Sequence, residues 1–150
     1  MKNRDYSFRF AEKCLYSFQE DAVRLTALRE CLATLYSTST AGVQGWDVIA
    51  HSSGVSDPVA VRELKIVSLE EEIGKLMWRV NAIQKLLDAL DVPFLLEDTP
   101  IANMGKFIRF WYFCRVPRDK VMKLLSISKT SMYRLREKTV ELVIKYLGLK

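Results

Sequence analysis

One apolar repeat constrains the fold of this chain more than any other feature. Ile66, Leu69, Ile73, Leu76, Val80, Ile83, Leu87 and Leu90 follow one another at alternating spacings of three and four residues, without an exception. On a helix of ~3.6 residues per turn such a series falls on a single stripe, the seam by which one helix packs against another. A strand would need alternation at every second residue, which is absent here. Ser56 or Asp57 can cap the start of this helix, and Pro58 suits a first turn because no backbone donor is needed there. Asp91 and Pro93 close it, since proline neither continues the hydrogen-bond ladder nor tolerates helix just before it. The helix is therefore predicted over about 57–91.

A second seam precedes it. Phe8, Ala11, Leu15, Phe18, Ala22, Leu25 and Leu32 step by three and four and are interrupted only at Arg29, which predicts a helix over about 5–36. Between the two, residues 37–56 carry Ser, Thr, Gly42, Gly45 and Gly54 and read as a loop, a long one. Two helices of similar length, each about 45–50 Å at 1.5 Å per residue, joined by one loop, form an antiparallel coiled-coil hairpin over 1–92. Tyr16, Val23, Leu64 and Trp78 lie off the seam, so a second chain or the C-terminal segment is expected to cover them. Trp46, Val48 and Ile49 fall in the loop and are expected to cap the hairpin tip.

After a linker at 93–100 the composition changes. Residues 1–100 hold 11 Lys/Arg against 15 Asp/Glu, whereas residues 101–150 hold 12 against 3, so the whole positive balance of +5 belongs to the last third. Positive charge concentrated on a small helical module is the footprint of a phosphate-backbone binder. Within 101–150, Met104, Phe107, Ile108, Trp111 and Tyr112 predict a helix from Ile101 to Cys114, the first member of a three-helix core. Pro117 can open a short helix, Ser126 and Ile127 make a tight connection, and Ser128 can cap a last helix that Gly148 stops. Short helix, turn and long helix make a helix-turn-helix, with Val121, Leu125, Ile127, Met132 and Leu135 as its interior.

The fold class expected is thus all-α: a long antiparallel coiled-coil hairpin followed by a small helix-turn-helix domain at 101–150. An α-helix fits the major groove, where its early residues reach base edges while flanking cations hold phosphates. Ser128, Lys129, Thr130, Tyr133 and Arg134 are accordingly the candidates for base or groove contact. Arg115, Arg118, Lys120, Lys123, Arg136 and Lys138 are the candidate phosphate contacts. Two positions depart from the common motif: Met122 stands where a small residue is usual, and Ser126 where the turn usually has glycine.

Other function classes find little in this sequence. His51 is the sole histidine and lies in the loop, no glycine-rich phosphate cradle exists, and no metal-ligand spacing occurs. Glu70, Glu71 and Glu72 are consecutive, so on a helix they fan over about 200° and cannot converge on one ion. Cys14, Cys31 and Cys114 are odd in number and widely spaced, which predicts free buried thiols. No catalytic residue, cofactor, metal or small-molecule substrate is expected. Without an apolar run of the ~18 residues that cross a bilayer, no membrane partner is expected either, and the location expected is the cytoplasm.

Three stretches resemble a known family: the glycine-containing loop with Ser56-Asp57-Pro58-Val59-Ala60, the long heptad helix after it, and the ending Ile127-Ser128-Lys129-Thr130-Ser131-Met132-Tyr133-Arg134-Leu135-Arg136. Together they resemble the RinA- and ArpU-like transcription regulators of phages that infect Gram-positive bacteria, and the last stretch is similar to sigma-factor region four. The resemblance implies a regulator of late phage genes acting in the bacterial host cell. Its partners would be double-stranded DNA, a second copy of the chain in a homo-oligomer expected to be a dimer, and host RNA polymerase as a further candidate. Two alternatives stay open: a phage terminase small subunit recognising viral DNA, and an interaction module that contacts RNA polymerase without DNA.

Overall fold

A computed structural model describes residues 2–37, 58–91 and 102–149. Ser56 and Asp57, the loop residues Gly42, Trp46, Val48, Ile49, His51 and Gly54, and the linker 93–100 lie outside the described residues. The described chain is helical: α1 (Lys2–Ser37), α2 (Pro58–Leu90), α3 (Ala102–Phe107), a π-helical turn (Ile108–Phe113), α4 (Arg118–Leu125) and α5 (Lys129–Leu147). The first two helices start and stop within three residues of the bounds their seams predict. The chain divides into two compact units, Met1–Glu20 with Trp78–Lys150, and Asp21–Met77.

In the unit Asp21–Met77 the two long helices pack antiparallel along their seams. Leu25, Ile73 and Leu76 are buried, while Ala22, Leu32, Ile66 and Leu69 are half-buried. Polar links along the flanks fix the register. Arg24 forms an ion pair with Glu72, Tyr36 Oη donates to Glu70 Oε1 at 2.5 Å, and Arg62 Nη2 donates to the Leu35 carbonyl at 2.7 Å. Two of the three consecutive glutamates thus serve neighbouring side chains on α1. Val23 and Leu64, which the sequence suggested would be covered, are 72% and 71% exposed.

The other unit has one continuous core. Ala11, Cys14 and Leu15 from α1 and Ala82, Ile83, Leu86, Leu87 and Leu90 from α2 meet Met104, Phe107, Ile108 and Tyr112, and then Val121 and Leu125 of α4 and Met132, Leu135, Val140, Val143 and Leu147 of α5. Burying a Leu or Phe side chain contributes about 1.5–3 kcal/mol each, so these contacts dominate the stability of the unit. Ala82 and Leu86 lie off the α2 seam and give it a second apolar stripe. The linker at 93–100 therefore does not mark the edge of a compact unit: the last helices share their core with the ends of the long ones. Tyr16 and Trp78 make ring contacts here but stay 38% and 44% exposed. Tyr16 meets Tyr112 edge-on at 4.8 Å, Trp78 stacks with Phe10 at 5.9 Å, and Trp78 Nε1 donates to the Leu147 carbonyl at 3.2 Å.

The helix expected over Ile101–Cys114 is α-helical only to Phe107 and then widens. The Cys114 N–H donates to the Arg109 carbonyl five residues back, at 2.8 Å. Crowding gives the reason: Ile108-Arg109-Phe110-Trp111-Tyr112-Phe113 carries four aromatic rings in six residues. The wider turn buries Ile108 and Tyr112 while Trp111 stacks on Phe107 at 5.9 Å. Arg115 then takes a left-handed conformation, φ 52°, and ends the segment. Of the three thiols only Cys14 is buried; Cys31 and Cys114 are exposed, against the expectation of buried cysteines, because both fall off the apolar stripes.

Candidate nucleic-acid interface

The α4–turn–α5 segment is held by backbone geometry that its sequence dictates locally. Pro117 precedes α4 at φ −56°, and its carbonyl accepts from the Val121 N–H at 3.1 Å. At the far end Ser126 adopts φ 53°, ψ 45°, while the Ser126 and Ile127 N–H groups donate back to Lys123 O at 3.3 Å and Met122 O at 3.1 Å. This pair of bonds around one left-handed residue is a Schellman closure, normally made with glycine. Serine takes the glycine's place here at some conformational cost. Met122 is half-buried and packs against the core, as does Ile127, so the departure at Met122 has a structural use, whereas nothing in the structure explains serine at position 126.

Ser128 caps α5: its Oγ accepts from the Ser131 N–H at 3.2 Å and donates to Ser131 Oγ at 3.0 Å. At the other end Gly148, φ 71°, closes α5 with the same double bond pattern, its N–H and that of Leu149 donating to Lys145 O and Ile144 O. Val121, Met132 and Leu135 are buried, Leu125 is 8% exposed and Ile127 is half-buried, so the five interior positions assigned from sequence do face inward.

The outer face is then fixed by helical geometry. Lys129, Thr130, Tyr133 and Arg134 are all exposed, with Ser128 beside them at the cap. Arg118, Lys120 and Lys123 on α4, Arg115 before it, and Lys138 on α5 are exposed as well. Arg118 Nη1 donates to Tyr133 Oη at 3.2 Å, tying the start of α4 to the exposed face of α5. That hydrogen bond, with the charge behind it, holds the Tyr133 phenol below its ordinary value. Arg115 lies over the Tyr16 ring at 5.9 Å. Lys120, Lys123, Lys129, Arg134 and Lys138 have no carboxylate in ion-pair range among the described residues.

Arg136 does not belong to this set. Its Nε and Nη2 donate to the two carboxylate oxygens of Glu12 at 2.6 and 2.9 Å, and its guanidinium lies over Phe8 at 5.6 Å. Tyr112 Oη donates to the same Glu12 at 2.9 Å. Burial raises the Glu12 carboxyl, but the hydrogen bonds from Arg136 and Tyr112 outweigh it and hold the group below its ordinary value. Burial and the neighbouring carboxylate push the Tyr112 phenol far up, so it stays a donor. A cation committed at both prongs to an internal carboxylate braces α5 from behind. Glu12, 124 positions upstream, carries no local signal that could have announced this partner.

No family model, curated protein or solved structure matches this chain. Among the described residues no cluster of His, Cys, Asp or Glu could hold a metal ion, and no described helix is long and apolar enough to cross a membrane.

Proposed function

We propose that this protein binds duplex DNA sequence-specifically through α5 and acts as a transcription regulator of late phage genes. One observation carries the reading: the first two turns of α5 present Lys129, Thr130, Tyr133 and Arg134 outward from a turn closed at Ser126, with the exposed cations Lys120, Lys123 and Lys138 on the same two helices. A helix so displayed suits the major groove, and the flanking lysines suit phosphates. The segregation of 12 Lys/Arg against 3 Asp/Glu into residues 101–150 supports the same reading. RNA polymerase would be the further partner of such a regulator.

The test is fluorescence anisotropy of the full chain with a duplex site selected from a randomised pool and with a mixed-sequence duplex, at several salt concentrations. About five phosphate contacts should give a slope of log affinity on log salt of roughly −4 to −5, and the selected site should bind more tightly. Salt-independent or absent binding overturns the reading. Light scattering on the same sample separates a dimeric regulator from the ring of subunits a terminase small subunit would form.

A further inference from the structure

Beside the reading face lies a cleft of about 250 Å³ lined by Asn103, Ile127, Ser131, Arg134, Leu135 and Lys138. Among the described residues its polar lining is one-sided: an amide, a hydroxyl, a guanidinium and an ammonium. Ser131, Arg134 and Lys138 occupy positions i, i+3 and i+7 of α5 and so stack along one edge of the helix. Asn103 joins them from α3. The Ser131 hydroxyl already accepts from Ser128 Oγ, which leaves its own hydrogen to donate into the cleft. Four donor groups, two of them cationic, suit a group that offers several anionic oxygens, and a phosphate is that group. The volume exceeds what one phosphate needs, and Ile127 and Leu135 supply apolar wall for the sugar attached to it.

We propose that this cleft seats one backbone phosphodiester of the bound duplex, with Arg134 and Lys138 as its cations and Asn103 and Ser131 as neutral donors. The proposal rests on the DNA-binding reading above and changes two assignments within it. Arg134 becomes a phosphate ligand in place of a base reader, leaving base contact to Lys129, Thr130 and Tyr133. Asn103, on a helix that sequence reasoning gave only a packing role, joins the interface. The phosphate so gripped lies along the 131–138 edge of α5, which sets how the helix is rotated in the groove.

The experiment measures affinity of the full chain for the selected and the mixed-sequence duplex across salt. Arg134→Ala and Lys138→Ala should each weaken both duplexes alike, by about tenfold, and make the salt slope shallower by about one. Asn103→Ala should weaken both severalfold with the slope unchanged, since it removes a donor without a charge. Replacing single phosphates of the selected duplex by methylphosphonates should reveal one linkage whose neutralisation costs wild type affinity but costs Lys138→Ala nothing further. Loss confined to the selected duplex for Arg134→Ala returns it to base readout and overturns the cleft, while DNA binding stands. Unchanged binding by all three variants does the same. Wild type that binds neither duplex overturns the underlying reading as well. Stabilisation of the free protein by inorganic phosphate, lost in Lys138→Ala without any change in DNA affinity, would assign the cleft to a free phosphate and overturn the duplex assignment.

Discussion

Glu12 and Arg136 form a two-pronged ion pair at 2.6 and 2.9 Å across 124 positions of sequence, joining the first helix to the helix that carries the reading face. Only 14% of the Glu12 side chain and 33% of the Arg136 side chain remain exposed, and Tyr112 adds a third hydrogen bond to the same carboxylate. The orientation of α5 therefore depends on a residue far from it in sequence.

Removing the carboxylate should be costly. Breaking a fully buried pair costs about 3–5 kcal/mol, and the solvent still reaching Arg136 reduces this, so Glu12→Ala is expected to lower stability by about 2 kcal/mol in urea denaturation. Tyr112→Phe should cost about 1 kcal/mol, the value of one hydrogen bond. A Glu12→Ala protein as stable as wild type would show that the pair is not a brace.

Acid should weaken the same brace. The Glu12 carboxyl sits below its ordinary value of 4.5 in the folded protein, so its stabilisation is complete above that pH and is lost as pH falls through the lower folded value. Denaturation midpoints of wild type should fall more steeply below about pH 4.5 than those of Glu12→Gln, which has no carboxylate to protonate there. Parallel curves would place the acid response elsewhere.

Ser128 can be separated into two roles. Ser128→Ala should cost about 1 kcal/mol through loss of the cap on the Ser131 N–H. Ser128→Asp keeps a capping oxygen and should retain wild-type stability, yet its charge should weaken DNA binding in anisotropy. If Ser128→Asp binds DNA as wild type does, the cap is not near the nucleic acid.

At the turn, Ser126→Gly should raise stability by about 0.5 kcal/mol, because glycine adopts φ 53° without strain, while Ser126→Val should lower it by about 1–2 kcal/mol. Thermal denaturation of both variants checks the sign. Equal melting temperatures would mean the left-handed conformation is not held in solution.

On the α4 flank, Lys120→Ala should weaken selected and mixed-sequence duplexes equally and make the salt slope shallower by about one, whereas Lys129→Ala should weaken the selected duplex more. Equal behaviour of the two variants would leave sequence readout unassigned to Lys129.

Much of the fold was legible because it is periodic. The seam residues from Ile66 to Leu90 sit at the packed face of α2 as their spacing predicts, and Ser128 and Gly148 cap α5 where their chemistry places them. Non-periodic features were harder to read. The second stripe of α2, Ala82 and Leu86, is too short to stand out, yet it draws the C-terminal helices into the core of the long ones. The π-helical turn depends on crowding among four rings, which no spacing rule registers. In the candidate site the exposed residues of α5 followed from helical geometry, but the pairing of Arg136 did not, because charge type says nothing of direction. Its position turns it toward Glu12, and only the packed structure brings that carboxylate within reach.

The shared core also has a consequence for how the protein is made. Ala11, Cys14 and Leu15 emerge from the ribosome long before Met132, Val140 and Val143 exist to cover them. Closing so long a stretch of chain carries a loop-closure cost that local helix formation does not, so this unit should assemble late and slowly compared with the pairing in Asp21–Met77. Until translation reaches the last helix, the start of α1 lacks the part of its core that α5 supplies, and a nascent chain stalled before α5 would be a natural substrate for chaperones.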